Sequence, residues 1–326
     1  LLAAIAQVLR ADPAAAAQPD VAAWWARWRD RAARAATPAA QAIAGGFDAD
    51  RVGWAFAAGY QAALRRLCPD LPAGSIAALC VTEEAGNRPR DIATRLEPLE
   101  PAEGGGWRLS GAKRWTTLGP AGSLLLVAAR LTDAAEGAEG AEGVEGKRGA
   151  RPRLKVARVP VPAPGLSVEP MAGIGFVPEV PHARLRFDGV AVAADALLPG
   201  DGWDQVVKPF RTIEDLHVTL AVLAYLLREA RARRWPAAIA ERLAALMLLL
   251  AELGAAPPDA AAMQVALEGA LQLAHALYAE AGTLFAAAGA DDPGAARWAR
   301  DQPLFAVARQ ARALRAERAW QRLQPT

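Results

Sequence analysis

Apolar residues change their spacing twice along the chain. Up to about Asp70 they recur at helical intervals: Trp24, Trp25 and Trp28 first, then Val52, Phe56, Tyr60 and Leu64. That period gathers them on one helix face, so the region is predicted to be helical. Asp48 or Asp50 is placed to cap the second of these helices, and Pro69 and Pro72 to end the region. Then the runs shorten. Residues 75–82, 124–129, 154–159 and 183–187 are bounded by Gly or Pro and read as strands. In residues 104–115, Trp107 and Leu109 alternate with polar positions among glycines, which predicts a hairpin. From about Gly202 the helical spacing returns, over residues 210–232, 238–253, 261–288 and 303–323. Pro236, Pro257-Pro258 and Pro293 mark breaks, and Pro303 suits a first helical position.

The order helices, strands, helices argues against a parallel α/β sheet, which would alternate the two. An α+β chain is predicted: a helical region over 1–74, a middle antiparallel β-barrel-like domain over 75–201, and a C-terminal helical bundle over 202–326. Between two strands lies 133–150, a repeated Ala-Glu-Gly run with Val144 as its only large apolar residue. Such a composition has nothing to bury and reads as a surface loop.

Composition narrows the function. Hydrophobic residues make up 53% of the 326, much of it alanine, which suits helices. The net charge is +2, and the arginines are interleaved with acids and alanines. No basic stripe for a nucleic acid emerges. Cys68 and Cys80 are the only cysteines and form no C-x-x-C, which fits a reducing compartment. His182, His217 and His275 show no ligand spacing, so no metal is expected. The apolar stretch at residues 1–9 lacks a basic flank and is not read as a signal peptide. The run at 243–251 is too short to span a bilayer. A cytoplasmic protein without a membrane span is expected.

Three segments carry a specific pattern. The first is Leu79-Cys80-Val81-Thr82-Glu83-Glu84-Ala85-Gly86-Asn87. The second is Leu109-Ser110-Gly111-Ala112-Lys113-Arg114-Trp115-Thr116-Thr117. The third is Phe187-Asp188-Gly189-Val190-Ala191-Val192-Ala193, followed by Leu197-Leu198-Pro199-Gly200. Their order resembles the middle domain of the acyl-CoA dehydrogenase family. There a strand ends in Thr-Glu before a Gly-Ser-Asp loop, a Leu-x-Gly-x-Lys hairpin precedes Trp-Ile-Thr, and Phe-Asp-x-Val-x-Val-Pro closes the domain.

The resemblance implies FAD as cofactor and an acyl-CoA or acyl-carrier thioester as substrate. It gives Trp115 one face of the flavin ring, and Thr82, Thr116 and Thr117 its polar edge. Gly86 and Asn87 form the turn that meets a phosphate, whose charge suits exposed backbone N–H groups. The redox chemistry belongs to the cofactor. A minority of the family carry the catalytic base in Leu-Asp-x-Glu-Arg at the start of the C-terminal domain. Glu214 falls on that glutamate in Arg211-Thr212-Ile213-Glu214-Asp215. Family members are homo-oligomers through the C-terminal bundle, and Leu314 and Trp320 are available for such packing.

Each role has a plainer alternative. Trp115 suits cross-strand packing, and threonines are frequent in strands for propensity alone. Glu214 suits a helix N-terminal acid near Thr212. Asp215 stands where the family often has an arginine that holds acyl-CoA, and Gln-x-x-Gly-Gly-x-Gly is absent from the sequence. These departures support a second reading, a non-catalytic relative that acts as a binding or assembly partner.

Overall fold

The computed structural model describes residues 2–100, 105–132, 152–289 and 291–324. The predicted surface loop at 133–150 lies outside them. By internal contacts the chain divides into two compact units. A helical unit comprises Leu1–Gly74, Ile174–Val180 and Pro209–Thr326; a strand unit comprises Ser75–Gly173 and Pro181–Lys208.

The helical unit opens with α1 (Leu2–Arg10), α2 (Val21–Ala32), α3 (Pro38–Asp48) and α4 (Val52–Leu67). Asp20 caps α2 by accepting from the Ala23 N–H at 2.8 Å, and Thr37 caps α3. Of the tryptophan stripe of α2, Trp24 and Trp28 are buried and Trp25 is half-buried; Trp24 stacks on Trp54 of α4 at 5.4 Å. The expected aspartate cap of α4 is not formed. Its N-cap is Arg51, without a side-chain bond. Asp50 instead accepts from the Gln18 backbone and from Arg51, and Asp48 from Arg31 at 2.6 Å. Longer-range donors outcompete the helix end for both carboxylates.

After the strands come α5 (Lys208–Ala232), α6 (Ala237–Leu253), α7 (Ala261–Ala286), α8 (Pro293–Asp301) and α9 (Arg309–Leu323). Every residue of α5 from Thr219 to Ala230 is buried, so it runs through the middle of its unit. Glycines let neighbours approach its backbone. A Cβ on Gly46 of α3 would lie 2.0 Å from the Ala221 carbonyl oxygen, and one on Gly59 of α4 2.5 Å from the Val218 Cα. Two expectations at the end of the chain are corrected. Pro293 begins α8 rather than marking a break, because Asp292 caps the Ala295 N–H there. Pro303 falls in a 3-10 turn, and α9 starts only at Arg309.

The strand unit holds β1 (Ala77–Cys80), β2 (Arg95–Pro98), β3 (Trp107–Thr117), β4 (Leu124–Leu131), β5 (Leu154–Pro160), β6 (Leu166–Pro170) and β7 (His182–Val192). They form one curled sheet. β3 runs antiparallel to β2 and β7, β7 to β6, and β5 to β4. The free edge of β4 pairs in parallel with β1 at Leu124–Val127 and with β2 at Arg130–Leu131. The α+β class is as predicted, but the sheet is mixed rather than wholly antiparallel. Parallel pairing needs a long connection, and the chain between β1 and β4 supplies one. Leu96, Leu109, Val127, Leu185 and Phe187 fill the core on one face.

Residues 104–115 are not a hairpin in themselves. From Trp107 on they are one strand, β3, whose partner is β2, and the Leu99 N–H donates to the Gly106 carbonyl just ahead of it. Gly111 marks a register shift within β3, with φ 142°. A Cβ there would meet Thr94 at 2.7 Å, so this glycine serves close approach rather than reversal.

Candidate functional site

The first two signature segments meet at the end of β1. There the chain makes a tight turn: the Glu83 N–H donates to the Gly86 carbonyl at 2.8 Å, and the Gly86 N–H returns to the Glu83 carbonyl at 3.2 Å. Gly86 has φ 139°, and a Cβ would lie 2.6 Å from Asp91 Oδ2, so the turn needs glycine. Alongside, the Arg114 N–H donates to the Thr82 carbonyl at 2.9 Å. That bond ties the Thr-Glu segment to the Lys-Arg-Trp segment.

Beneath them is a buried ion pair. Lys113, 1% exposed, donates from Nζ to Glu83 Oε1 at 2.5 Å and to the Val81 carbonyl at 3.3 Å. The Glu83 carboxylate also accepts from the Ala93 N–H, the Thr94 N–H and the Thr94 hydroxyl. Burial opposes the charge on Glu83, but Lys113 and these donors outweigh it and hold the carboxyl below the usual range.

Between Lys113 and Thr116 the register of β3 slips. Trp115 takes the left-handed conformation there, with φ 58°, and stands 41% exposed. Its backbone N–H donates to Met171 Sδ, its ring lies edge-on to His182 at 6.4 Å, and the Arg114 guanidinium sits 5.1 Å from the ring centre. Glu84 holds Arg114 at 2.5 Å. The Thr117 hydroxyl lies 3.5 Å from His182 Nε2. Thus Trp115 and Thr117 share His182, and Thr82 joins them through Arg114. Thr116 turns inward, 2% exposed, so any contact it makes with a ligand comes from its main chain. Burial pushes the Cys80 thiol up to about 12, against opposing pulls from Thr116 and Lys113. It is no nucleophile.

Glu214 belongs to the helical unit. It lies in the second turn of α5, past the positions where an acid caps a helix. Burial and the neighbouring Asp215 push its carboxyl up to about 8, against the pull of Arg312 and Arg211. Asp215 itself is clamped: its Oδ1 lies 2.7 Å from Arg312 Nη2 and its Oδ2 2.8 Å from Arg315 Nη1. His217, one turn on from Ile213, donates to that residue's carbonyl and is held neutral by burial, with its pKa lowered to about 4. The connection from α8 to α9, residues 302–308, carries no acid. Among the described residues no cluster of metal-binding side chains occurs, and no helix is long and apolar enough to cross a membrane.

No protein-family sequence model matches the chain, and no curated protein matches it in sequence. Solved structures do. Butyryl-CoA dehydrogenase from Megasphaera elsdenii superposes with a TM-score of 0.67 at 15% identity, over 92% of this chain and 90% of that one. The chain has the acyl-CoA dehydrogenase fold. Glutaryl-CoA dehydrogenase from Mycobacterium smegmatis in complex with FADH2 gives a TM-score of 0.62 at 16% identity, over 97% and 93%. The FAD complex of PigA gives 0.63 at 15%, over 91% and 88%.

On this acyl-CoA dehydrogenase fold, the sequence motifs pointed to Thr82, Gly86, Trp115 and Thr117, whose segments are tied by the bond from the Arg114 N–H to the Thr82 carbonyl. They did not reveal Arg312 and Arg315. A pair of arginines one turn apart on a helix rich in arginine carries no signal of its own; only the fold shows that both face Asp215. Nor did they reveal Met171 and His182, which stand beside Trp115 from the two ends of the β6–β7 connection.

Proposed function

We propose that this chain is a flavin-dependent oxidoreductase that dehydrogenates an acyl thioester between its α and β carbons, with FAD as hydride acceptor and Glu214 as base. The observation that carries the reading is Trp115. A large indole is held half exposed on a strained bulge, edge-on to the His182 ring that the Thr117 hydroxyl also meets and one residue from the Arg114 N–H that holds the Thr82 carbonyl, on a fold whose solved examples include an FAD complex. A flat apolar surface with polar groups close by suits a flavin ring, so the residues present fit the cofactor. Thr116 contributes through its main chain. The Gly86-Asn87 turn would meet a phosphate of the cofactor; the Gly86 N–H is itself bonded to the Glu83 carbonyl.

FAD, when bound, supplies the acceptor for the β-hydrogen and its electron pair. Glu214 takes the α-proton. A carboxyl raised toward 8 is a stronger base than an ordinary one, which suits a weakly acidic carbon. The product is the α,β-unsaturated thioester, on CoA or an acyl carrier. A cytoplasmic homo-oligomer accompanies this reading, with Leu314 and Trp320, 43% and 58% exposed on α9, as packing candidates.

The test is a visible spectrum of the purified protein after reconstitution with FAD, followed by anaerobic addition of acyl-CoA thioesters. A bound flavin band that one of them bleaches, and that Glu214→Gln leaves unbleached, is the expected result. A colourless protein overturns the reading. The second reading, a non-catalytic relative, draws on the Asp215 clamp: Arg312 and Arg315 are committed to the carboxylate next to the candidate base rather than to a polyanionic substrate. It expects FAD without bleaching, or no FAD.

A further inference from the structure

We infer that Glu83 and Lys113 are positioning residues for the flavin: their buried pair sets the turn after Thr82 against the bulge that carries Trp115. The inference rests on the flavin reading above. Lysine is almost never fully buried without a partner, and here Nζ is sealed off and shared between Glu83 and the Val81 carbonyl. A buried ion pair is a poor source of stability, because desolvation offsets its attraction; apolar residues of similar volume often do as well.

What apolar residues cannot do is fix direction. Glu83 collects donors from two further segments: Lys113 in β3, and the Ala93 and Thr94 N–H groups ahead of β2. The four-fold set of bonds, counting the Thr94 hydroxyl, leaves the carboxylate one orientation. Each partner then sits next to a flavin-facing position. Glu83 follows Thr82, and Lys113 is two residues before Trp115. The link between those neighbours, Arg114 N–H to Thr82 carbonyl, joins the residue after Lys113 to the residue before Glu83. No other buried ion pair in the strand unit, among the described residues, joins the two motifs.

The experiment compares wild type with Lys113→Met, Glu83→Gln and the double variant, reading melting temperature, FAD affinity and amide hydrogen exchange. Lys113→Met strands a buried carboxylate. Its expected effects are a lower melting temperature, FAD affinity weaker by tenfold or more, and faster exchange confined to residues 82–87 and 113–117. Glu83→Gln keeps the shape and gives the same pattern more weakly. The double variant has no stranded charge, so its melting temperature recovers while FAD affinity and local exchange do not. If FAD affinity recovers together with melting temperature, or if exchange at the two segments is unchanged in Lys113→Met, the positioning role is overturned. A wild-type protein that takes up no FAD overturns the flavin reading instead, and the exchange pattern still decides whether the pair positions the two segments.

Discussion

Asp215 Oδ1 accepts from both Nε and Nη2 of Arg312, at 2.8 and 2.7 Å, and so ties α5 to α9. Arg315 closes the clamp from the other oxygen. Removing one member of such a pair leaves buried charge behind, which is worse than never having had the pair. Asp215→Asn is therefore expected to destabilise the fold by about 2–3 kcal/mol, at the lower end for a buried network because the arginines keep some solvent contact. Denaturant unfolding measures it. The same variant removes a like charge beside Glu214 and frees Arg312 to attract it. Both effects lower the Glu214 carboxyl, so the pH midpoint of thioester-dependent flavin bleaching should move down. A midpoint that moves up contradicts the arrangement.

Glu214 itself makes a pH prediction with a definite sign. Its folded value, about 8, stands above the ordinary 4.5. Between those values the folded chain binds more protons than the unfolded one, so stability falls as pH rises through this window and levels off above about 8. Glu214→Gln removes that slope. Its melting temperature should exceed that of wild type at pH 9 by roughly 10 °C, on a scale of about 2 °C per kcal/mol, with the gap closing toward pH 5. Bleaching by thioester should rise with pH to a plateau above about 8 in wild type, and fall by roughly 10²-fold or more in the variant.

Asp301 is wholly buried and accepts the Val177 N–H at 2.8 Å while pairing with Arg300. Arg300 reaches on to Glu179 at 3.3 Å. This network fastens the Ile174–Val180 segment to the rest of the helical unit. Asp301→Ala should release it, at a cost of about 3 kcal/mol for a lost buried charge network. Proteolysis near Phe176 should speed up well before global unfolding; unchanged cleavage there would refute the role.

Gly46→Ala tests the approach of α3 to α5. The added methyl would sit 2.0 Å from the Ala221 carbonyl oxygen, which is backbone and cannot step aside. Overpacking of this kind is expected to destabilise by about 2–3 kcal/mol, above the gain in helix propensity of about 1 kcal/mol. Gly269→Ala, in open space on α7, is the control and should be neutral or stabilising.

Apolar patterning found the elements. The stripe of Val52, Phe56, Tyr60 and Leu64 yields α4, although that helix is buried nearly all round, and the shortened runs yield β4, β5 and β7. It failed where a close approach or a non-local partner decides. The glycines of 104–115 looked like turn residues, yet Gly111 is there to admit Thr94. Asp48 and Asp50 looked like caps, yet Arg31, Gln18 and Arg51 claim them. In the candidate site, Trp115 and its threonines were legible as a motif. The left-handed bulge that exposes the indole was not, because φ 58° at a tryptophan is imposed by bonds from Lys113, Arg114 and Met171 rather than by local preference. Nor did the sequence alone separate Glu214 as base from Glu214 as cap; the start of α5 at Lys208 decides that the residue is interior.

The enclosure of α5 has a consequence for how this scaffold can change. Gly46 and Gly59 hold two other helices against its main chain, and every residue from Thr219 to Ala230 is buried. A shift by one residue would roll the helix by about 100° and drive side chains into both glycine notches. Glu214 therefore rides on a rod that cannot rotate. Variation at this position must come from exchanging the side chain itself, or those on α9 that face it, and not from re-aiming the helix that bears it.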